Sequence, residues 1–502
     1  MIVPMPTKLI RSAGSFVLRR DTAIRAHGGA EPAARLLRRY FRKATGFPLP
    51  SAEAGTIVLT LDPGMTGLGE EGYSLLVSTH AVQLRAPHPA GLLHGVQSLR
   101  QLLATEGGPH LPCVDIRDVP VFPWRGAMLD VARHFMPIGF VRRFVDLLAL
   151  HKLNVLHLHL TDDQGWRMPI ERYPRLTDIG ALRTESMIGP SGSPLFDGTP
   201  HGGAYTRAEL EGLVAYAAEL GVTVMPEIEM PGHARAALAA YPELGNFPSR
   251  ELPVWTSWGV SDALFGVQDR TFDFLQDVLT EVMEVFPSPR IHIGGDECPT
   301  VEWRTSPTAA VRIAAEGLAG ADALHGWFLR RVGDFLLDHG RQPVCWDDGD
   351  LSAGLPPQAA VMIWRDPAHG LSALRRGHEV IMAPFRSTYL DYPQSAEPEE
   401  PQGQPDGVVT LHDVYHHQPV PPEWDDRYRA RVLGTQAQLW TEFAPRPRDV
   451  EYLAFPRLCA LAETSWRGNN DWSGFPARLV RHEQLLSALS VHYRPVGAFS
   501  AI

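Results

Sequence analysis

Arg290-Ile-His-Ile-Gly-Gly-Asp-Glu-Cys298 is a short β-type apolar run that ends in two glycines and delivers two adjacent carboxylates, Asp296 and Glu297. In a regular strand neighbouring side chains point to opposite faces, so consecutive carboxylates share one pocket only where the alternation breaks. Gly294 and Gly295 permit that break, because glycine reaches backbone geometries closed to other residues. Carboxylates forced together and partly desolvated separate in pKa, leaving one as a proton donor near neutral pH and the other ionised. The same Asp-Glu pair also fits a solvated loop or a helix N-terminus, and the surrounding segments have to decide.

From about Trp124 onward, short apolar strands alternate with amphipathic helical patterns, which predicts a parallel sheet closed by crossovers. Candidate strands begin at Arg125, Asn154, Val222, Arg290, Pro343, Ala359, Glu379 and Val432. Eight such units make a (β/α)8 TIM barrel. One intervening helix carries a capping box, Thr206 with Glu209. Ahead of the barrel, a helical pattern over Pro32 to Thr45, a strand at Thr56 to Leu61, a hairpin-like pair across Tyr73 to Ala86 and a helix over Gly91 to Leu103 predict a small α+β domain. The composition shift at Gly107 to Pro112 puts a boundary nearby, giving an N-terminal domain over 1–120 and a barrel over 121–502. The Pro-rich, acidic stretch Pro393 to Gly407 is expected to be a mobile surface insertion outside the active part.

Reactive groups in such barrels sit where strands finish. The first candidate strand ends near Asp130, with Arg133 and His134 beyond. The second runs through His157 and His159 into Asp162-Asp163-Gln164-Gly165-Trp166, and the third ends Glu227-Ile-Glu229-Met-Pro-Gly-His233. The remaining strands deliver Asp296-Glu297, Trp346-Asp347, Trp364, Tyr389-Leu-Asp391 and Trp440-Thr-Glu442. Indole faces pack on the C–H face of a pyranose while carboxylates accept hydrogen bonds from its hydroxyls, so the expected partner is a sugar. Taken singly, each tryptophan also fits barrel filling, Asp162-Asp163 also fits a helix cap, and the two histidines read as core residues bonded to backbone. Their joint occurrence is what favours a site.

Composition narrows the partners. A formal charge of -11 argues against nucleic acid or an anionic membrane surface. The four cysteines, Cys113, Cys298, Cys345 and Cys459, show no CxxC spacing, so neither a zinc knuckle nor a disulfide scaffold is signalled. Reduced thiols and an N-terminus without a signal-peptide core lead to the expectation of a cytoplasmic protein. No strand end supplies a three-ligand His/carboxylate set, so neither metal nor cofactor is expected.

Several segments, in order, resemble the retaining exo-β-N-acetylhexosaminidases of glycoside hydrolase family 20. They are Arg125-Gly-Ala-Met-Leu-Asp-Val-Ala-Arg-His-Phe135, the run from Lys152 through His157-Leu-His159 to Arg167, Pro226-Glu-Ile-Glu-Met-Pro-Gly-His233 and His292-Ile-Gly-Gly-Asp-Glu297, preceded by the Gly91 to Leu102 helix. The resemblance implies that Glu297 is the general acid and later the base, and that the substrate's own 2-acetamido carbonyl is the nucleophile. Asp296 would orient and charge-stabilise the resulting oxazolinium, and Tyr389 would donate to the carbonyl oxygen. It further implies sugar contacts from Arg125, Asp391 and Glu442, walls from Trp346, Trp364 and Trp440, and supporting roles for Asp162, Glu229 and His233. Where members carry a Trp in a Tyr-x-Trp-Asp-Pro run, this chain has Tyr415-His-His-Gln-Pro419, which places His417 at the aromatic wall. Two other readings stand beside this one. A metal-dependent amidohydrolase would use His157-Leu-His159 with further histidines on later strand ends, and a non-catalytic carbohydrate-binding protein would not need Asp296-Glu297.

Overall fold

The computed structural model describes residues 2–105, 108–348, 354–468 and 471–499. Six strands form the N-terminal sheet: β1 (Lys8–Val17), β2 (Ile24–His27), β3 (Ile57–Leu61), β4 (Tyr73–Val77), β5 (Val82–Ala86) and β6 (His110–Asp118), in the order β1-β6-β4-β5-β3-β2. Strand β5 shows the cause of its placement: Val82, Leu84 and Ala86 are buried while Gln83 and Arg85 face out. Helices α1 (Glu31–Thr45) and α2 (Pro89–Thr105) accompany the sheet. Gly91 lets α2 sit close, since a Cβ there would fall 2.1 Å from the Gly72 carbonyl oxygen. The composition shift lies within this domain: His110 to Pro112 already belong to β6, which pairs with β1 and β4 as far as Asp118, and Gly107 lies outside the described residues.

A closed barrel of eight parallel strands follows: β7 (Trp124–Asp130), β8 (Val155–His159), β9 (Thr223–Met230), β10 (Arg290–Gly294), β11 (Gln342–Trp346), β12 (Ala360–Ile363), β13 (Glu379–Met382) and β14 (Val432–Leu439), with β14 pairing back onto β7. Each begins within one residue of its sequence expectation. Strand β7 is buried along its whole length because parallel barrel strands have both faces covered, which explains the unbroken apolar runs. Helices α3 (Ile138–Leu150), α4 (Arg207–Glu219), α5 (Asp269–Val285), α6 (Ala321–Asp338) and α7 (Pro367–Arg375) cover the outside, and α8 (Arg457–Arg467) packs against β7 and β14. The Thr206/Glu209 capping box is present at α4. The described part of the β11–β12 connection has no helix, and β13 reaches β14 through short helical turns only. No helix among the described residues is long and apolar enough to cross a membrane.

The barrel floor is fastened to the N-terminal domain by buried charge. Lys152 Nζ donates to Asp118 Oδ2 at 2.7 Å and to Tyr73 Oη at 2.9 Å, and Arg125 makes two 2.7 Å hydrogen bonds to the Glu71 carboxylate. Arg125 also donates to the Lys152 and Phe122 carbonyl oxygens. The expectation for Pro393 to Gly407 is corrected here. Gln394 is buried and donates to the Tyr452 carbonyl at 2.6 Å, while Glu400 pairs with Arg494 at 2.9 Å, so the segment is pinned to the barrel.

Candidate active site

The break in strand alternation is real. Gly294 and Gly295 take φ of +65° and +96°, and a Cβ at Gly294 would fall 1.7 Å from Glu229 Oε2. Glu297 (+46°) and His233 (+49°) also occupy the left-handed region, which non-glycine residues enter only when their surroundings hold them there. These turns aim Asp296, Glu297 and His233 into a cavity of about 370 Å³ at the C-terminal mouth of the barrel. A roomier cavity of about 770 Å³ lies at the opposite end, among strand starts such as Trp124, Thr223 and Arg290. It lacks both the strand-end carboxylates and the indoles of the mouth.

Ten of the twelve sequence-predicted residues line the mouth cavity: Asp162, Glu229, His233, Asp296, Glu297, Trp364, Tyr389, Asp391, Trp440 and Glu442. Arg125 does not. It sits at the start of β7, held by Glu71 at the barrel floor, and strand direction puts it a full strand away from the chemistry. The arginine at the mouth is Arg133, beyond the end of β7, paired with Asp162 at 2.8 Å and lying over the Trp440 ring. Trp346 is also outside the cavity lining: it is buried inside the barrel, donating through Nε1 to Glu227 Oε1 at 2.8 Å, with its ring 6.0 Å from that of Trp440. His417 is no part of the aromatic wall. It is buried between Ser387 and Thr435, with ring nitrogens 3.2 and 3.0 Å from their hydroxyls. Sequence reading missed Arg133, Arg365, Phe385, Tyr392 and Gln404. Arg133, Arg365 and Tyr392 had a signal, their places beside strand-end residues.

Trp364 and Tyr389 stack with ring centroids 6.2 Å apart, and Tyr389 and Trp440 are tilted at the same separation, giving a three-ring wall. Asp347 fastens the loop bearing Trp364, accepting its backbone N–H at 2.5 Å. Across from the wall, Asp162 Oδ1 lies 3.1 Å from His233 Nδ1, and His233 Nε2 faces both Asp296 Oδ2 (3.8 Å) and Glu297 Oε2 (3.7 Å). Burial opposes charge on His233, but Asp162, Asp163 and Asp296 outweigh it and raise the imidazole well above its usual range. Burial lifts Asp296 to about 7, with the neighbouring Glu297 charge adding and His233 opposing. Burial also raises Glu229, reinforced by Asp296 and Glu227, and Asp391, reinforced by Glu442. Glu297 stands apart in exposure: its side chain is 34% accessible against 12% for Asp296, so it meets whatever lies at the cavity mouth.

Several polar atoms buried here have no hydrogen-bond partner among the described residues: Asp296 Oδ1, both oxygens of Glu229 and of Asp391, Glu442 Oε2, Arg133 Nη1 and Trp364 Nε1. Leaving one such atom unpaired costs roughly 1–3 kcal/mol, so this concentration around one cavity marks a place built for a polyhydroxylated ligand. A barrel whose mouth joins such atoms to indole faces and a turned carboxylate pair has the features of a carbohydrate site. The chain belongs to glycosyl hydrolase family 20: the family's catalytic-domain model matches residues 122–469, and its domain 2 model matches residues 1–119.

A β-hexosaminidase of Porphyromonas gingivalis is 37% identical over 498 residues, which is 95% of this chain and 62% of that protein. The chain thus spans less than two thirds of that relative's length. Among solved structures, an exo-β-N-acetylglucosaminidase of Vibrio harveyi in complex with N-acetylglucosamine superposes with a TM-score of 0.88 at 32% identity, covering 99% of this chain and 78% of that one. A β-N-acetylhexosaminidase of Streptomyces coelicolor gives a TM-score of 0.84 at 32% identity, covering 98% and 97%.

Proposed function

We propose that this protein is a retaining exo-β-N-acetylhexosaminidase that removes terminal β-linked N-acetylglucosamine or N-acetylgalactosamine from the non-reducing end of a glycan, with the substrate's 2-acetamido group as nucleophile. The observation that carries this reading is the pairing of a partly exposed Glu297 with a more enclosed Asp296 at one strand end, in the cavity that Tyr389, Trp364 and Trp440 also line. Glu297 protonates the glycosidic oxygen and later activates water. Asp296, ionised, takes a hydrogen bond from the acetamido N–H and stabilises the positive charge of the oxazolinium. Tyr389, whose hydroxyl burial keeps protonated, donates to the acetamido carbonyl oxygen. Arg133, Asp391 and Glu442 hold the hydroxyls on the far side of the ring, a role that moves from Arg125 to Arg133.

The amidohydrolase reading loses ground on geometry: one ring nitrogen each of His157 and His159 faces the Glu227 carboxylate, the others meet Gln436 and Asp162, and neither histidine lines the cavity. Side-by-side assay of aryl β-N-acetylglucosaminide, aryl β-N-acetylgalactosaminide and an aryl β-glucoside tests the proposal. Turnover of either N-acetyl sugar with an inert glucoside supports it, and a glucoside hydrolysed equally well overturns it.

A further inference from the structure

Beneath the catalytic carboxylates lies a polar cluster that this chemistry has not used. Glu227, on β9, is wholly buried, accepts two hydrogen bonds and faces two further imidazoles. One carboxylate oxygen accepts from Trp346 Nε1 at 2.8 Å and lies 2.7 Å from His292 Nδ1. The other is bonded to the Nδ1 of His159 and lies 3.0 Å from His157 Nε2. The second ring nitrogen of His159, Nε2, stands 2.9 Å from Asp162 Oδ2. A neutral imidazole has a single N–H, so His159 can donate to both carboxylates only as the imidazolium. Asp162 then hands the pattern on, with Oδ2 bridged to Arg133 at 2.8 Å and Oδ1 facing His233 at 3.1 Å. Charges therefore alternate from the barrel centre to the cavity: Glu227, His159, Asp162, His233, then the catalytic carboxylates.

We propose that Glu227 is a positioning residue for the hydrolytic reaction, acting through His159 and Asp162 to fix the orientation and charge of the His233 imidazole that faces Asp296 and Glu297. The inference rests on the hydrolase reading of the cavity. Glu227 lines no part of that cavity, so its effect on turnover has to travel through the chain of contacts. The groups facing His159 are Glu227 and, at 4.0 Å, Glu229 from β9, Asp162 from the loop after β8, and the edge-on Trp440 ring after β14. Those facing Glu227 are the two β8 histidines, His292 from β10 and Trp346 from β11. Burial disfavours the imidazolium, yet the Glu227 charge and Asp162 lift His159 to about 10. Without the Glu227 charge, His159 keeps one close carboxylate and releases its proton within the ordinary imidazole range.

The test uses E227Q and E227D in the full chain, with ¹⁵N-histidine NMR assigned through H159Q. In the wild type, both ring nitrogens of His159 are expected to remain protonated as the pH rises past the ordinary imidazole range, whereas in E227Q they titrate within it. For E227Q, kcat on an aryl β-N-acetylglucosaminide is expected to fall about 10-fold or more, with KM changed less than about twofold. The alkaline limb of its pH profile should move to lower pH, because the required imidazolium is lost sooner, and E227D should recover part of the rate. A structural role alone would lower the amount of folded protein and leave the kcat and pH profile of the folded fraction unchanged. Should E227Q fail to fold, H159Q removes the imidazolium charge while keeping a polar side chain that can donate a hydrogen bond, and is expected to show the same kcat-selective loss. A neutral wild-type His159 in that range, or a folded E227Q or H159Q with wild-type kcat and pH profile, overturns the proposal. A wild type inert toward every N-acetylhexosaminide would instead sink the functional reading, while the NMR arm would still decide the charge on His159.

Discussion

The imidazole of His233 faces Glu297 with Nε2 at 3.7 Å from Oε2, and the same nitrogen lies 3.8 Å from Asp296 Oδ2. Two consecutive residues therefore present their carboxylates to one ring, which a regular strand forbids and which the positive φ of Glu297 makes possible. The shared partner lets the two carboxylates differ in task. Asp296 is enclosed and unpaired on Oδ1, while Glu297 reaches toward solvent and a leaving group.

That division predicts the behaviour of Glu297→Gln. Loss of general-acid catalysis should cost about 10²- to 10⁴-fold on substrates with a poor leaving group and far less on aryl glycosides whose leaving group needs little protonation. Parallel kcat/KM measurements on a chito-oligosaccharide and a nitrophenyl glycoside give the comparison. Equal losses on both would remove Glu297 from the acid role.

Asp296 should trade stability for function. Its folded-state pKa of about 7 lies above the ordinary aspartate value, so the fold favours the neutral carboxyl. Stability linked to this group is present in full below the unfolded-state pKa and is lost as pH rises through the folded one. Asp296→Asn keeps the neutral form at every pH. It should therefore exceed the wild type in stability by a gap that opens from about pH 4 and levels off above about pH 7, reaching about 2–4 kcal/mol. Thermal melts across that range check it, and melting midpoints that track the wild type at every pH would contradict it.

The two arginines should separate cleanly. Arg125→Ala strands Glu71, whose carboxyl the guanidinium holds well below its usual range despite burial, and should destabilise the fold by about 3–5 kcal/mol while leaving KM unchanged. Arg133→Ala removes a charged contact from the cavity and should lower kcat/KM roughly 100-fold. Denaturant titration and steady-state kinetics on both variants decide the matter, and a raised KM in a folded Arg125→Ala would restore the original assignment.

Much of this architecture was legible because parallel barrel strands, buried on both faces, read as apolar runs, and because chemistry collects at their ends. All eight starts, and ten of the residues that line the cavity, followed from that. The errors share a physical origin. Arg125 and Arg133 stand in one motif at opposite ends of β7, and only strand polarity assigns one to the floor and the other to the mouth. Trp346 is the last residue of β11, where side-chain alternation points it inward under the cavity. Gln404 could not be seen because the hydrophilic stretch around it resembles a free loop, and the contacts that anchor that stretch, Gln394 to Tyr452 and Glu400 to Arg494, are remote in sequence.

The role proposed for the polar residues of the cavity predicts the mode of attack on polymers. If Arg133, Asp391 and Glu442, which line the cavity together with Gln404, hold the far hydroxyls of the terminal sugar, no room is left for a preceding residue. Chitin oligomers should therefore shorten one residue at a time from the non-reducing end. Early internal fragments in a mass-spectrometric time course would show that a preceding sugar can pass this wall.

The acetamido nucleophile separates this chemistry from a retaining hydrolase that attacks with its own carboxylate. If Asp296 stabilises the substrate's amide as it cyclises, a plain β-glucoside lacks the reacting group and should be essentially inert, with no sugar-enzyme adduct accumulating. Thiazoline mimics of the cyclic intermediate should bind at least about 100-fold more tightly than N-acetylglucosamine itself, because they resemble the state the cavity stabilises most. Asp296→Ala should collapse that preference, since the thiazoline ring and the acetamido group then face the same uncharged wall. Calorimetric titration of both ligands into wild type and variant measures the difference. A covalent glycosyl ester trapped on Asp296 would instead show that the protein, not the substrate, supplies the attacking oxygen.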